Sequence, residues 1–343
     1  MYQGFYNLKE FPFRLSPDPA FMCMTDQHQE ALSGLIYSAC TQPGLTVLVG
    51  EAGTGKTTLL FSLLGLLQKR RFVTAICTNP TLTREEFYDF LMMKFEVDCG
   101  SNLKSRQLTA FQEKLERNRA EGRPSLLIVD EAQRLSTELL EEIRLLLNLE
   151  TPREKLLEII VSGQPELSDI LARPELRQLK QRVSCICKLK SLSFEELHEY
   201  LQHRLAQAGL PNQTLFSEEI IRLIYDYTQG IPRLVNSLCN GALQTGFGLQ
   251  SRTITAAIVE EAARDLELHR SSVPENIAVS SAAALAAVGG NVMPEAPSPV
   301  RLTAVPKVNR PSNGTSETRM PLESYNVRQK SLGFFANLME RLK

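Results

Sequence analysis

Eight consecutive residues, Gly50-Glu51-Ala52-Gly53-Thr54-Gly55-Lys56-Thr57, carry glycines, a lysine and a hydroxyl in the spacing G-x-x-x-x-G-K-[ST]. Glycines at these positions let successive backbone N–H groups curl around an anion, while the lysine and the hydroxyl reach its outer edge. An apolar, β-branched run at 46–49 precedes the loop and helical spacing begins near Thr57, which is the context this pattern needs. The chemistry is that of a nucleoside triphosphate. Gly50 to Thr57, with Thr58 next to them, would bind the phosphates, Lys56 would reach the β- and γ-phosphates, and Thr57 would ligate Mg²⁺.

A second run, Leu126-Leu127-Ile128-Val129-Asp130-Glu131, ends four apolar residues in two carboxylates. Asp130 at the edge of a buried strand is placed to hold Mg²⁺ through its water shell, and Glu131 to orient and polarise an attacking water. Alone this pattern is weak; beside the glycine loop it completes a site for cleaving ATP. Ser162 and Gln164 follow another apolar run and either could sense the γ-phosphate, the alternative being turn residues before Pro165. Arg177 and Arg182 could act in trans on a neighbour's nucleotide, or lie on a solvated helix face. Arg233, in Gly230-Ile231-Pro232-Arg233, opens a helix with proline near its start and could reach back to the γ-phosphate.

These residues need a scaffold. Strands are expected at 46–49, 73–78, 125–129, 157–161 and 183–189, separated by helical spacing at 57–69, 84–95, 103–120 and 136–149. Continuous apolar strands alternating with helices predict an α/β fold with a parallel sheet covered on both faces. After residue 190 only helical segments follow, at 193–208, 217–228, 232–247 and 255–268. The expected organisation is a nucleotide-binding domain over 1–190, a helical lid over 191–268, a flexible linker over 269–330 and a short amphipathic helix over 331–343.

Composition narrows the class. The 343 residues are 43% hydrophobic and 22% charged, and their 38 basic and 39 acidic side chains nearly cancel. That excludes a wholly disordered chain, and a nucleic-acid footprint spread over the whole surface has no support in net charge. Seven scattered cysteines without C-x-x-C spacing argue against a disulfide framework or a zinc site, and Cys185 and Cys187 share one face of a strand. The first ten residues lack the pattern of a secretory signal, so a cytoplasmic protein is expected. Beyond residue 270, seven of the 18 prolines accompany a small basic excess, as in a linker. Residues 277–293 are uncharged but rich in Ala, Ser and Gly, short of the roughly 20 strongly apolar residues that a membrane span needs. Leu332, Phe335, Leu338, Met339 and Leu342 recur at helical spacing, either for a membrane surface or a partner, or to fold back on the core.

Taken with Phe5-Tyr6-Asn7-Leu8, Pro12-Phe13, Pro17-Asp18-Pro19, Gln27-His28, Asp130-Glu131-Ala132-Gln133, Asn148-Leu149-Glu150 and Gly163-Gln164-Pro165-Glu166-Leu167, the chain resembles an AAA+ P-loop ATPase. More closely, it is similar to the general secretion pathway protein A (ExeA-like) family over about residues 1–268. The resemblance implies Walker A roles for Lys56 and Thr57, Walker B roles for Asp130 and Glu131, Gln164 near sensor 1, Arg182 as arginine finger and Arg233 as sensor 2. It also implies an N-terminal segment near the adenine, a helix after Gln27-His28, and a homo-oligomer that drives assembly of a secretion, pilus or polysaccharide-export system. Longer family members continue into a transmembrane helix and a peptidoglycan-binding domain, whereas only residues 271–343 follow here, so peptidoglycan binding is not expected. Relatives of the same core include ATP-dependent regulators of DNA transposition, which keeps DNA as an alternative partner. A signalling switch without mechanical output is a third use of such a core.

Overall fold

The computed structural model describes residues 2–101, 103–210 and 215–270, all within one compact unit, Met1–Ser271. A single helical turn, α1 (Tyr2–Phe5), starts an irregular strap that runs to a 3-10 turn at Pro19–Phe21. Then follow α2 (Asp26–Thr41), β1 (Leu45–Gly50), α3 (Lys56–Gln68), β2 (Val73–Cys77), α4 (Arg84–Lys94), α5 (Lys104–Ala120) and β3 (Ser125–Val129). The order continues with α6 (Thr137–Leu146), β4 (Leu157–Gly163), α7 (Glu166–Leu171), α8 (Arg177–Lys180) and β5 (Val183–Leu189). Four helices close the described chain: α9 (Phe194–Gln207), α10 (Glu218–Thr228), α11 (Pro232–Gly248) and α12 (Ala256–Asp265).

The five strands form one parallel sheet in the order β2-β3-β4-β1-β5. β1, β3 and β4 are buried along their whole length, as strands covered by helices on both faces must be. Local chemistry fixes the helix starts. Thr83 with Glu86 and Ser193 with Glu196 form reciprocal capping boxes on α4 and α9, and Ser136 and Ser217 cap α6 and α10, each contributing about 1 kcal/mol. Val161 of β4 lies level with Val47 of β1 and Val129 of β3. The residues that leave β4 therefore stand between the glycine loop after β1 and the two carboxylates after β3.

Coverage is incomplete at β5, contrary to the sequence expectation. It is an edge strand whose Ser184, Ile186 and Lys188 face solvent, with Ile186 58% exposed. Cys185 and Cys187 do share a face, their sulfurs 3.8 Å apart opposite Gly34 of α2. A charged residue on such an edge discourages pairing with another chain.

Two apolar clusters hold the unit together. One packs Phe87, Leu91, Phe95, Phe111 and Ile143 against the sheet through Leu127 and Ile159. The other joins Leu197, Leu201, Leu238 and Val259 of the last four helices to Tyr6 and Phe13 of the strap. Although the strap comes first in sequence, it packs with the last four helices: the Tyr2 and Tyr6 hydroxyls donate to Asn240 Oδ1 and to the Ser251 carbonyl at 2.8 and 2.9 Å. Among the described residues no helix is long and apolar enough to cross a membrane. The expected linker, the 277–293 segment and the 331–343 helix lie outside the described residues.

Candidate functional site

The loop between β1 and α3 turns through two glycines with positive φ, Gly53 at 82° and Gly55 at 97°, where a side chain would be strained. Space is equally restrictive at Gly53, since a Cβ there would come within 2.7 Å of the Arg233 Cβ. Gly55 caps the N-terminus of α3, so the first amides of that helix, which have no intrahelical acceptor, open into the loop. Lys56 is 5% exposed, and its ammonium donates to the carbonyls of Gly50 at 2.7 Å and Glu51 at 2.9 Å. Burial pushes its pKa below the ordinary lysine range, opposed by the carboxylates of Glu131, Asp130, Glu51 and Glu166.

Across the sheet, Asp130 is buried at the end of β3, and its Oδ2 accepts from the Thr57 hydroxyl at 2.7 Å. Its Oδ1 accepts from the Glu131 amide at 3.0 Å. Glu131 has a left-handed backbone, φ 53°, which breaks the strand direction and sends the side chain to the cavity wall. Such a conformation in a non-glycine residue stores about 1–3 kcal/mol and is found at sites that use it. The Glu131 carboxylate accepts from Gln133 Nε2 at 2.7 Å, and Gln133 Oε1 in turn accepts from the Gln164 amide at 3.2 Å. A Cβ on Gly163 would lie 2.8 Å from that Gln133 oxygen, so a larger residue here would make Gln133 shift.

These groups border a cavity of about 460 Å³, a volume in the range of small-molecule sites. Lys56, Thr57, Thr58, Glu131 and Gln164 line one end together with Ala52 and Gly53, and Arg233 of α11 closes over them, its amide donating to the Gly53 carbonyl at 3.2 Å. β4 runs two residues beyond the expected end at 161, so Ser162 lies within the strand, buried and with no hydroxyl partner among the described residues, while Gln164 just after it reaches the cavity wall. Arg177 and Arg182 are exposed and do not line the cavity; Arg182 donates to Asn148 Oδ1 at 3.0 Å. Any role they have in hydrolysis must be played on another molecule.

The donor set suits a magnesium nucleotide. Among the described residues no group of three His, Cys, Asp or Glu side chains could hold a metal ion by itself. One hydroxyl and one carboxylate, as in Thr57 and Asp130, are what Mg²⁺ uses when phosphates and water complete its shell.

The opposite end of the cavity was not legible from motif chemistry. Residues 14–18 and 21–23 of the strap form one wall, and Tyr200, Arg204 and Asn236 of the lid form the other. His28, at the start of α2, also reaches this cavity; its Nδ1 is 2.7 Å from the Thr25 hydroxyl. Burial lowers the His28 pKa against the opposing effects of the Thr54 backbone and Glu196, favouring the neutral ring. A signal existed for the strap only in its family resemblance, and for Gln133 in its place in the Asp130-Glu131-Ala132-Gln133 run, which carried the resemblance without assigning it a role.

Residues 40–171 match an AAA domain. The chain is 37% identical over 270 residues to General secretion pathway protein A of Aeromonas hydrophila, a match covering 78% of this chain and 48% of that protein. It thus spans about half the length of the curated relative it matches. Among solved structures it resembles Drosophila ORC bound to DNA, with TM-score 0.59 and 18% identity over 78% of this chain and 66% of that one. It also resembles the Aeropyrum pernix ORC2 protein in its ADPNP-ADP complexes, with TM-score 0.52 and 16% identity over 71% of this chain and 68% of that one. At such identities the structural likeness shows the shared P-loop fold. These matches are consistent with an AAA ATPase core, carried by the AAA domain at residues 40–171 and similar to that of General secretion pathway protein A.

Proposed function

We propose that this protein hydrolyses ATP and uses the cycle to move its helical lid. The observation that carries the reading is the bonded path Thr57–Asp130–Glu131–Gln133–Gln164, which joins the ends of β1, β3 and β4 around one cavity. Loop amides and Lys56 hold the phosphates and offset their charge. Thr57 and Asp130 would hold Mg²⁺, which would supply charge neutralisation at the phosphates. Glu131 orients a water and draws its proton as the water oxygen bonds to the γ-phosphorus. The bond to the bridging oxygen breaks, and ADP and inorganic phosphate result. Arg233, seated on the loop, loses its anionic partner when phosphate leaves, which frees α11 and the lid to rotate.

The similarity to General secretion pathway protein A supports use of this cycle, by a homo-oligomer, in assembling a cell-envelope secretion, pilus or polysaccharide-export system. Such a protein would work from the cytoplasm at the periphery of the inner membrane, and Arg182 is our choice for the finger that reaches a neighbouring site. The test is ATP hydrolysis over a range of protein concentrations, with Lys56→Ala as blank and vesicles of phosphatidylethanolamine and phosphatidylglycerol or duplex DNA added in turn. Specific activity should rise with protein concentration and with vesicles. Stimulation by DNA alone would move the reading to a DNA-binding switch, and a rate equal to that of Lys56→Ala throughout would end the ATPase reading.

A further inference from the structure

Arg204 is the least expected charge in the protein. It is 7% exposed, and among the described residues it forms no ion pair. A buried guanidinium without a carboxylate is costly unless its donors and its flat faces are satisfied some other way. Here Nε donates to the Pro12 carbonyl of the strap at 2.6 Å, and Nη1 donates to the Tyr200 hydroxyl of its own helix at 2.9 Å. The guanidinium carbon lies 5.4 Å from the ring centroids of both Phe21, on the strap, and Tyr200, on the lid. Tyr200 passes the connection on by donating to Asn236 Oδ1 at 2.9 Å, one helical turn beyond Arg233 on α11.

The strap is also fastened elsewhere: Phe13 and Phe21 are buried in the core of the last four helices, Phe13 meets Phe216 edge to face, and the turn at Pro19–Phe21 touches α3, where the Ser62 hydroxyl donates to Met22 Sδ at 3.2 Å. Tyr2 and Tyr6 bond to Asn240 and Ser251, Phe5 meets Phe247, and the Lys9 amide donates to the Ala208 carbonyl. At the cavity itself Arg204 bridges the two walls. Of its five N–H donors two are engaged.

We infer that Arg204 is a positioning residue that clasps the N-terminal strap to the lid, so that the wall at the far end of the cavity and the Arg233 helix move as one body. The inference rests on the cavity taking a nucleotide, and it deepens that reading: binding of the base at the strap becomes coupled to the position of the residue that contacts the phosphate loop. A ligand that has phosphates but no base would then engage Lys56 and Arg233 without drawing on the clasp.

The experiment compares the full chain with its Arg204→Met and Tyr200→Phe variants by amide hydrogen exchange, with and without a non-hydrolysable ATP analogue, and by binding of the analogue and of inorganic tripolyphosphate. In the parent protein the analogue should slow exchange in residues 2–13 and in α11 together. In Arg204→Met, which keeps the apolar stem, exchange at 2–13 should rise about tenfold or more without ligand while β1 and β3 stay protected. The analogue should bind about tenfold more weakly and tripolyphosphate as before. Tyr200→Phe keeps the bond to Pro12, so its strap should remain protected. Unchanged strap exchange in Arg204→Met, equal weakening of both ligands, or equal strap release in Tyr200→Phe would each overturn the clasp. If the parent protein binds neither ligand, the nucleotide reading fails, and strap exchange in the ligand-free variants still decides whether Arg204 is the clasp.

Discussion

The polar path around Glu131 assigns different jobs to residues that a motif treats alike. Asp130 is buried and bonded to Thr57, whereas Glu131 is turned out of the strand by its left-handed backbone and held by Gln133. Gln133 spans the carboxylate and the amide after β4, so it fixes where the Glu131 oxygens point without touching the loop that binds phosphate. Gln133→Ala should therefore lower kcat by about 10- to 100-fold and leave KM for ATP within about threefold, as steady-state rates can read. A rise in KM at unchanged kcat would show that Gln133 serves binding instead. The loop, Asp130 and Glu131 were legible in the sequence because their chemistry depends on neighbours in the chain. Gln133 and Arg204 were not, because each acts on a residue that only the strand order or the path of the strap brings near.

At the scale of elements, the central strands were readable because continuous apolar runs bounded by turns have few other uses in a chain of this composition. α2 was not readable from periodicity: its inward side mixes Leu32, Leu35 and Ile36 with buried His28, Ser38 and Ala39, which dilutes the apolar stripe. β5 was legible in its span and in the shared face of Cys185 and Cys187, but not in its place at the sheet edge, which only the pairing order sets. One buried charge in the sheet gives a test of how these strands pack. Glu158 of β4 is fully buried, accepting from the Gly44 amide at 2.7 Å and the Thr46 hydroxyl at 3.1 Å. Burial outweighs these bonds and pushes its pKa up to about 7. The folded protein thus holds this proton more tightly than the unfolded chain, so stability present at acid pH is lost as pH rises towards 7 and changes no further above it. Between pH 5 and pH 8 the parent protein should lose on the order of 2–3 kcal/mol relative to Glu158→Gln in denaturant unfolding. A difference that does not vary with pH would mean that Glu158 is relieved of its burial by a contact that forms in solution.

For the whole molecule, the strap and the last four helices line one part of a cavity whose other part is lined by the loop after β1 and the ends of β3 and β4, an arrangement that the proposed ATPase cycle would use to move those helices. The fold class was legible from the alternation of elements. The attachment of the strap to the lid was not, since aromatic residues at 2–13 carry no period that reveals which core they join. Arg177 and Arg182 lie outside their own cavity, and a role in trans requires a second copy. Arg182→Ala should lose about 10³-fold or more in rate by itself and regain part of it when mixed with Glu131→Gln subunits. No recovery for Arg182→Ala or Arg177→Ala would rule out both as fingers. The most direct measurement of all is single-turnover phosphate release from ATP by Glu131→Gln beside the parent protein, with ATP binding measured on both. Release should slow by about 10²- to 10⁴-fold with affinity nearly unchanged, as expected when a water-orienting carboxylate is neutralised. Release at the parent rate would show that Glu131 does not act on the attacking water and would contradict the mechanism at its centre.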